Sequence, residues 1–215
     1  MNNLHRELAP ISDAAWAQIE EEVARTFKRH LAGRRAIDVR GPEGTAFSAV
    51  GTGHLQEITT PGDGIQARQR QAMALVEFRV PFELERQQID DVERGANDSD
   101  WQPAKIAARR LAFAEDGAIF VGYRAAGIIG KGYPVLEHVK RLVKDKIIWA
   151  PAVPGAVVLT TRGGDFELHL GQDTSIGYLS HTDTAVRLYL QETFTFLLLT
   201  TEAAVALAPP EAQKG

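Results

Sequence analysis

The 215-residue chain has no cysteine, which excludes disulfides, thiolate metal sites and a cysteine nucleophile and suits a reducing compartment. Long apolar runs are also missing. Even "FTFLLLTT" falls far short of the roughly 20 residues that a membrane-spanning helix needs. The start of the chain, "MNNLHRELAPISDAAW", carries no apolar core of a secretory signal, so the sequence predicts a soluble, cytoplasmic protein. There is no excess of positive charge. With 24 Lys and Arg against 28 Asp and Glu, the net charge of -4 argues against a nucleic-acid partner. Motifs with a known chemistry are scarce too: no G-x-x-x-x-G-K-S/T for phosphates, no H-E-x-x-H for zinc, no G-x-S-x-G elbow. "GTGHLQ" is only a fragment of a Gly-rich loop, and the six histidines are scattered without ligand-like spacing. These absences predict no catalytic residue, no metal and no cofactor.

What is present is ordinary for a globular protein, 44% apolar and 24% charged, and long enough for one large domain or two small ones. A helix is predicted from about Asp13 to Ala32. Ser12 is its N-cap, Ile11 and Trp16 are spaced as a hydrophobic staple, and Gly33 supplies the stop. Trp16, Ile19, Val23, Phe27 and Leu31 make one apolar face at three- and four-residue spacing. A Gly-, Thr- and Pro-rich excursion follows, with turns at "GPEG" and "PGDG". Strict alternation of Val76, Phe78, Val80, Phe82 and Leu84 with polar residues then predicts a half-buried strand. A projecting ribbon of this kind is marginal alone in water, so it calls for a partner subunit or a fold-back onto its own domain. A second long helix, about Trp101 to Ala126, has Leu111, Phe113, Ile119, Phe120 and Tyr123 as its apolar surface, with Pro103 in its first turn. A shorter helix is expected over Tyr133–Val143. The remainder reads as strands: "KIIWAP", a hairpin turning at Gly163–Gly164, "TSIGYLS", and "AVRLYLQETFTFLLLTT".

One stretch raises the question of chemistry. "IDDVERGANDSDW" holds Asp90, Asp91, Glu93, Asp98 and Asp100. A metal-assisted hydrolase built on Asp90, Asp91, Glu93 and a histidine would need several oxygens converging on a cation. The structural alternative is a short helix, Ile89–Gly95, stopped by Gly95, with Asp98 or Ser99 capping the next helix and Arg94 as a neutralising partner. No histidine accompanies the acids, which favours architecture.

As a string, the same region resembles a known family. "RVPFELERQQIDDVERGANDSDWQPAKIAARRLAFAEDGAIFVGYRAAGI" is similar to the hallmark segment of the encapsulins, nanocompartment shell proteins once labelled linocin-type bacteriocins. "MNNLHRELAPISDAAWAQIEEEVARTFKRHLAGRR", "IIWAPAVPGAVVLTTRGGDFELHLGQDTSIGYLSH" and "VRLYLQETFTFLLLTTEA" also match, in family order, nearest to the mycobacterium-like members. The resemblance implies an α+β fold of the Hong Kong 97 tailed-phage capsid type, self-assembly into an icosahedral homo-oligomer, and no enzymatic activity of the shell. It divides the chain into an N-terminal lumenal helix and start of the peripheral domain (1–47), an extended loop (48–81), a spine-helix region (82–127), a truncated axial domain (128–173) and a return to the peripheral domain with the tail (174–215). It implies a cargo enzyme, such as a dye-decolorising peroxidase or a ferritin-like protein, held by a targeting peptide. The matching peptide-binding positions are Phe27, Leu31, Arg34, Ile37, Asp38, Asp173, Ile176 and Tyr178. Phe27, Leu31 and Ile37 would read equally well as core.

The match breaks at one place. In the family, several tens of residues of axial domain separate the segment like "GYRAAGIIG" from that like "GYPVLEHVKRLV"; here Lys131 alone stands between Gly130 and Gly132. Deletion, redesign or natural variation, and omission of a stretch from the sequence all fit, and the abrupt junction favours deletion or omission. Ile129, Gly130, Lys131 and Gly132 are the junction, expected to border a widened opening at a symmetry axis.

Overall fold

The structure is a computed structural model and describes residues 3–129, 147–153 and 155–207. It is an α+β fold. Helix α1, Asp13–His30, begins where expected: the Ser12 hydroxyl accepts from the Ala15 amide at 3.2 Å, satisfying a donor that the first turn leaves free. It buries Ala15, Trp16, Ile19, Val23 and Phe27. Its end differs from the sequence expectation. Leu31 leaves the helix in an extended conformation, its amide still bonded to Phe27 O at 3.1 Å, and Gly33 is not a left-handed stop. The physical reason is Asp116, whose carboxylate takes the amides of Ala32 (2.9 Å) and Gly33 (2.8 Å) and so turns the chain. Gly33 serves close approach instead, since a Cβ there would lie 2.5 Å from Ile119 Cδ1.

The chain continues through β1 (Asp38–Arg40), β2 (Ala49–Glu57), β3 (Arg68–Ala74) and β4 (Val76–Glu85), then α2 (Arg86–Glu93) and α3 (Gln102–Phe120). Short strands β5 (Gly122–Tyr123) and β6 (Ile128–Ile129) pair with each other. After them come β7 (Ala156–Leu159), β8 (Phe166–Leu170), β9 (Ser175–His181), β10 (Ala185–Leu198) and β11 (Ala204–Leu207). The main sheet has the order β1-β8-β10-β4, and β9 also pairs with β10. Strand β10 organises it. One edge runs antiparallel to β4 from Ala185↔Glu85 to Phe194↔Val76, while the other takes β9 and then β8 in tandem. The alternation in β4 holds: Phe82 and Leu84 are buried, and Glu77, Arg79, Pro81 and Glu83 are exposed.

Helices α1, α2 and α3 cover this sheet and form two apolar clusters. Trp16, Ile19, Leu84, Ile89, Leu111 and Leu188 belong to the first; Ile119, Leu168, Phe194 and Phe196 belong to the second. Each such side chain contributes roughly 1.5–3 kcal/mol of hydrophobic stabilisation. The ribbon β2–β3 stands apart as a two-stranded sheet, tied at its base by the Leu75 amide on Ser48 O at 2.9 Å. It ends at Ala74, so the sequence-based limit of residue 81 falls inside β4, which is already committed to β10.

Three other expectations change. The turn at Gly163–Gly164 exists, with φ of 77° and 75°, but it closes no hairpin. Strand β7 pairs with β11, because both edges of β8 are taken by β10 and β1. Residues Ile147–Ala150 of "KIIWAP" form no strand. Helix α3 stops at Phe120, leaving Tyr123 in β5 and 40% exposed, and Phe113 is only half-buried against His30. The helix expected over Tyr133–Val143, and Gly130, Lys131 and Gly132, lie outside the described residues. Ile129 closes β6 opposite Gly122.

Candidate functional site

Just beyond α1 the chain delivers Arg34 among acids from α3, β10 and the loop between β8 and β9. Its Nε and Nη2 reach the Glu115 carboxylate of α3 at 3.0 and 2.6 Å. Nη1 meets Asp173 Oδ1 at 2.6 Å, and Nη2 meets Glu192 Oε2 of β10 at 3.2 Å. The guanidinium also lies 5.2 Å from the centre of the Phe27 ring. Glu115 and Glu192 are fully buried, so one cation serves two buried carboxylates and a half-exposed one. Burial, and then the charge of Glu115, push the Glu192 carboxyl well above its usual range, with Arg34 opposing. Its Oε2 also accepts from Thr174 Oγ1 at 3.3 Å, while Oε1 finds no partner among the described residues. Arg34 is pushed upward because its bonds to Glu115 and Asp173 outweigh desolvation, the largest single influence and an opposing one. Beside this cluster, burial raises Asp116 to about 6 against the two amide donors that favour its ionised form.

Six of the eight residues expected to bind a peptide converge here. Phe27, Leu31 and Ile176 are buried in the first apolar cluster, with Tyr178 packed at its margin. Arg34 and Asp173 form the polar edge. The Tyr178 amide donates to Leu4 O at 2.8 Å, and its hydroxyl lies 2.6 Å from His181 Nδ1. Ile37 and Asp38 belong elsewhere. Ile37 packs on the second cluster and lines a shallow apolar groove with Ile119, Phe120, Phe166 and Leu198. Asp38 accepts the Gly164 amide at 2.6 Å and ties β1 to the turn before β8. Sequence reasoning missed Glu115, Asp116 and Glu192. Their signal was positional: Glu115 follows Leu111 by four residues on the buried face of α3, and Glu192 interrupts the apolar run of β10.

The acid stretch is architecture. Asp91 pairs with Arg94, and the Asp100 carboxylate takes the Gln102 amide at 2.8 Å at the start of α3. This corrects the expected cap at Asp98 or Ser99: the Ser99 hydroxyl donates instead to Gln88 O at 2.9 Å, and Trp101 is the N-terminal boundary residue. Among the described residues, no group of three or more His, Asp or Glu side chains is placed to hold a metal ion. A hydrolase on Asp90, Asp91 and Glu93 therefore has no assembled centre there.

A sheet threaded by one long strand, roofed by helices and carrying a detached ribbon is the architecture of a capsid tile. The virus-like particle of Pyrococcus furiosus shares it, with a TM-score of 0.60 over 88% of this chain and 98% of that one at 10% identity. The fold is the tailed-phage capsid fold of the Hong Kong 97 type. A family model described as an encapsulating protein for peroxidase matches residues 1–130 and 129–195. The type 1 encapsulin shell protein of Rhodococcus erythropolis is 48% identical over 264 aligned positions, covering 97% of this chain and all of the relative. The one from Mycobacterium tuberculosis has the same identity and coverage. The chain belongs to the encapsulin shell-protein family, and it is a structural shell protein rather than an enzyme. Those alignments run to 264 positions against 215 residues, and the family model resumes at the point where its first match ends, residues 129–130.

Proposed function

We propose that this chain self-assembles into a closed icosahedral nanocompartment that takes in a cargo enzyme through a targeting peptide. The observation that carries the assembly reading is the ribbon β2–β3. It leaves Leu55, Ile58 and Ile65 about half exposed (53%, 47% and 52%) and, among the described residues, pairs with no other strand. A lone hairpin with such a surface is stable only when something covers it, and a neighbouring copy in a shell does so. The division into peripheral domain (1–47, 75–127 and 174–215), extended loop (48–74, ending with β3) and truncated axial domain (128–173) belongs to this reading, as does a cytoplasmic location. The test is particle mass by light scattering on a sizing column, followed by negative-stain microscopy. Closed hollow shells are the expected result, and a monomer defeats the reading.

The cargo face is assigned to Arg34, Asp173 and Tyr178 with the buried Phe27, Leu31 and Ile176 directly beneath them, and Ile37 and Asp38 form a second, separate subsite. Apolar anchors supply affinity there while the Arg34–Asp173 edge fixes register. The cargo is a dye-decolorising peroxidase, in line with the description of the matched family model, or a ferritin-like protein. Co-expression with a fluorescent protein bearing a peroxidase's C-terminal extension tests this reading. Retention of the fluorescent protein in the particle fraction, lost on Tyr178→Ala, supports the assignment. At the junction Ile129–Gly132 the shortened axial segment leaves wider openings at the vertices, which microscopy of the assembled particle measures directly.

A further inference from the structure

Between α1 and α3 lies an open groove of about 300 Å³ whose wall is strongly basic. Arg25 and Arg29 from α1 face Lys105 and Arg109 from α3, with His30 at one side and Glu22 as the single acid in the lining. Glu22 is already shared, bonding Arg25 at 2.5 Å and Thr26 Oγ1 at 3.3 Å and lying 3.7 Å from Lys105. Arg29 and Arg109 make no ion pair among the described residues. In a chain of net charge -4, four permanent cations around one groove are a local field of opposite sign to the whole.

Helix geometry does not require this arrangement. Arg29 sits in the last turn of α1, where a cation favours the helix dipole, but Arg109 is in the middle of α3 and has no such role. Each helix presents its two cations four residues apart, about 6 Å along the axis. The groove is thus lined by two parallel rows of positive charge, with the N-terminal turn of α3 and its Gln102 closing one end. The Arg forks suit phosphate oxygens, which they engage through two parallel hydrogen bonds. A single small anion meets only part of this surface. A linear anion with two or three linked phosphates meets both rows.

We propose that the α1–α3 groove is a binding site for a small di- or triphosphate-bearing anion, held chiefly by Arg29 and Arg109. This site is distinct from the Arg34 cluster and does not depend on the cargo reading.

The test is calorimetric titration of inorganic tripolyphosphate into the full chain at low ionic strength. One site per chain is expected, binding at least roughly tenfold tighter than inorganic phosphate and weakening with salt. Arg29→Ala with Arg109→Ala is expected to weaken it by roughly tenfold or more. The Lys pair at the same positions keeps the charge but loses the forks, so a smaller loss is expected. Glu22→Gln is expected to tighten binding by removing the competing acid. Arg68→Ala with Arg70→Ala, on the distant ribbon, is expected to change nothing. Equal loss from the ribbon pair overturns the proposal in favour of diffuse charge. No preference over inorganic phosphate overturns it, and so does unaltered binding in every groove variant. Tighter binding of a poly-glutamate peptide than of tripolyphosphate overturns the phosphate assignment and makes the groove a dock for an acidic segment. If the Ala pair fails to fold, Glu22→Gln and the Lys pair decide.

Discussion

The guanidinium of Arg34 forks onto the carboxylate of Glu115, with Nε at 3.0 Å and Nη2 at 2.6 Å from its oxygens, although 81 residues separate them. The pair fastens the segment after α1 to the middle of α3, next to the face assigned to cargo. Glu115 is fully buried, so it cannot exchange Arg34 for water. Glu115→Ala is expected to leave the cation facing Glu192 and Asp173 alone and to cost about 3–5 kcal/mol. Denaturant unfolding followed by far-UV circular dichroism measures it. A loss below about 1 kcal/mol, the range of surface pairs, would mean that the bridge is solvated.

Asp116 gives a pH dependence of definite sign. Its carboxyl stands at about 6 in the fold against 3.8 ordinarily, so between those values the folded chain holds a proton that the unfolded chain has lost. Its contribution is complete below pH 3.8 and declines as pH rises to about 6, by at most about 3 kcal/mol. Asp116→Asn, which retains an acceptor for the Gly33 amide, is expected to remove that slope. Stability of variant and parent compared at pH 3.5, 5 and 7 checks it, and parallel curves contradict it.

Glu192 acts in the same direction and further up the scale. Its raised carboxyl keeps its proton to a higher pH in the fold than in the unfolded chain, so its contribution is complete below pH 4.5 and lost as pH climbs through its elevated value. Glu192→Gln keeps the shape and cannot ionise. The variant is expected to outlast the parent at alkaline pH and to match it near pH 4, read as melting temperature across the range.

Gly177 and Tyr189 face each other across β9 and β10, and a Cβ on Gly177 would overlap Cζ, Cε1 and the hydroxyl of the Tyr189 side chain. Tyr189 is pinned, with Arg79 stacked 4.2 Å from its ring centre and its hydroxyl donating to Asn3 O at 3.1 Å. Gly177→Ala is expected to cost about 1–3 kcal/mol by overpacking. Tyr189→Ala in that background should relieve the clash, so the two changes together should cost less than their sum. Thermal melts of the four proteins measure the coupling.

The ribbon separates folding from assembly. Leu55→Ser with Ile65→Ser alters exposed positions, so helix and strand content should stay unchanged while particles give way to small oligomers. Circular dichroism and sizing chromatography together check this. Loss of both signals would place the two residues in the fold of the single chain.

The sequence revealed what repeats locally. The apolar period of α1, the cap at Ser12 and the alternation of β4 all depend on neighbours three, four or two residues away, and they stand in the structure. Pairings across long distances were hidden. Gly163–Gly164 announces a turn, but which strand pairs with β8 is decided by β10 and β1, far off in the chain. The same limit hid the candidate site. Phe27, Leu31 and Ile176 were legible as apolar, yet nothing local tells that Arg34, Glu115 and Glu192 meet, because three unrelated segments supply them. Asp100 was legible as one acid of a cluster just before a helix but not as the residue that accepts the first amide.

Strand β10 has a consequence for how the protein is made. It follows β4, β8 and β9 in the sequence and is the antiparallel partner of all three. During synthesis those strands wait on the ribosome without their antiparallel partner, β8 having only the short β1 beside it, while α1, α2 and α3 can already form from local contacts. The sheet closes only when residues 185–198 emerge. A chain cut short before that point has no complete tile to offer its neighbours, so unfinished products are barred from the growing particle by the order of the strands themselves.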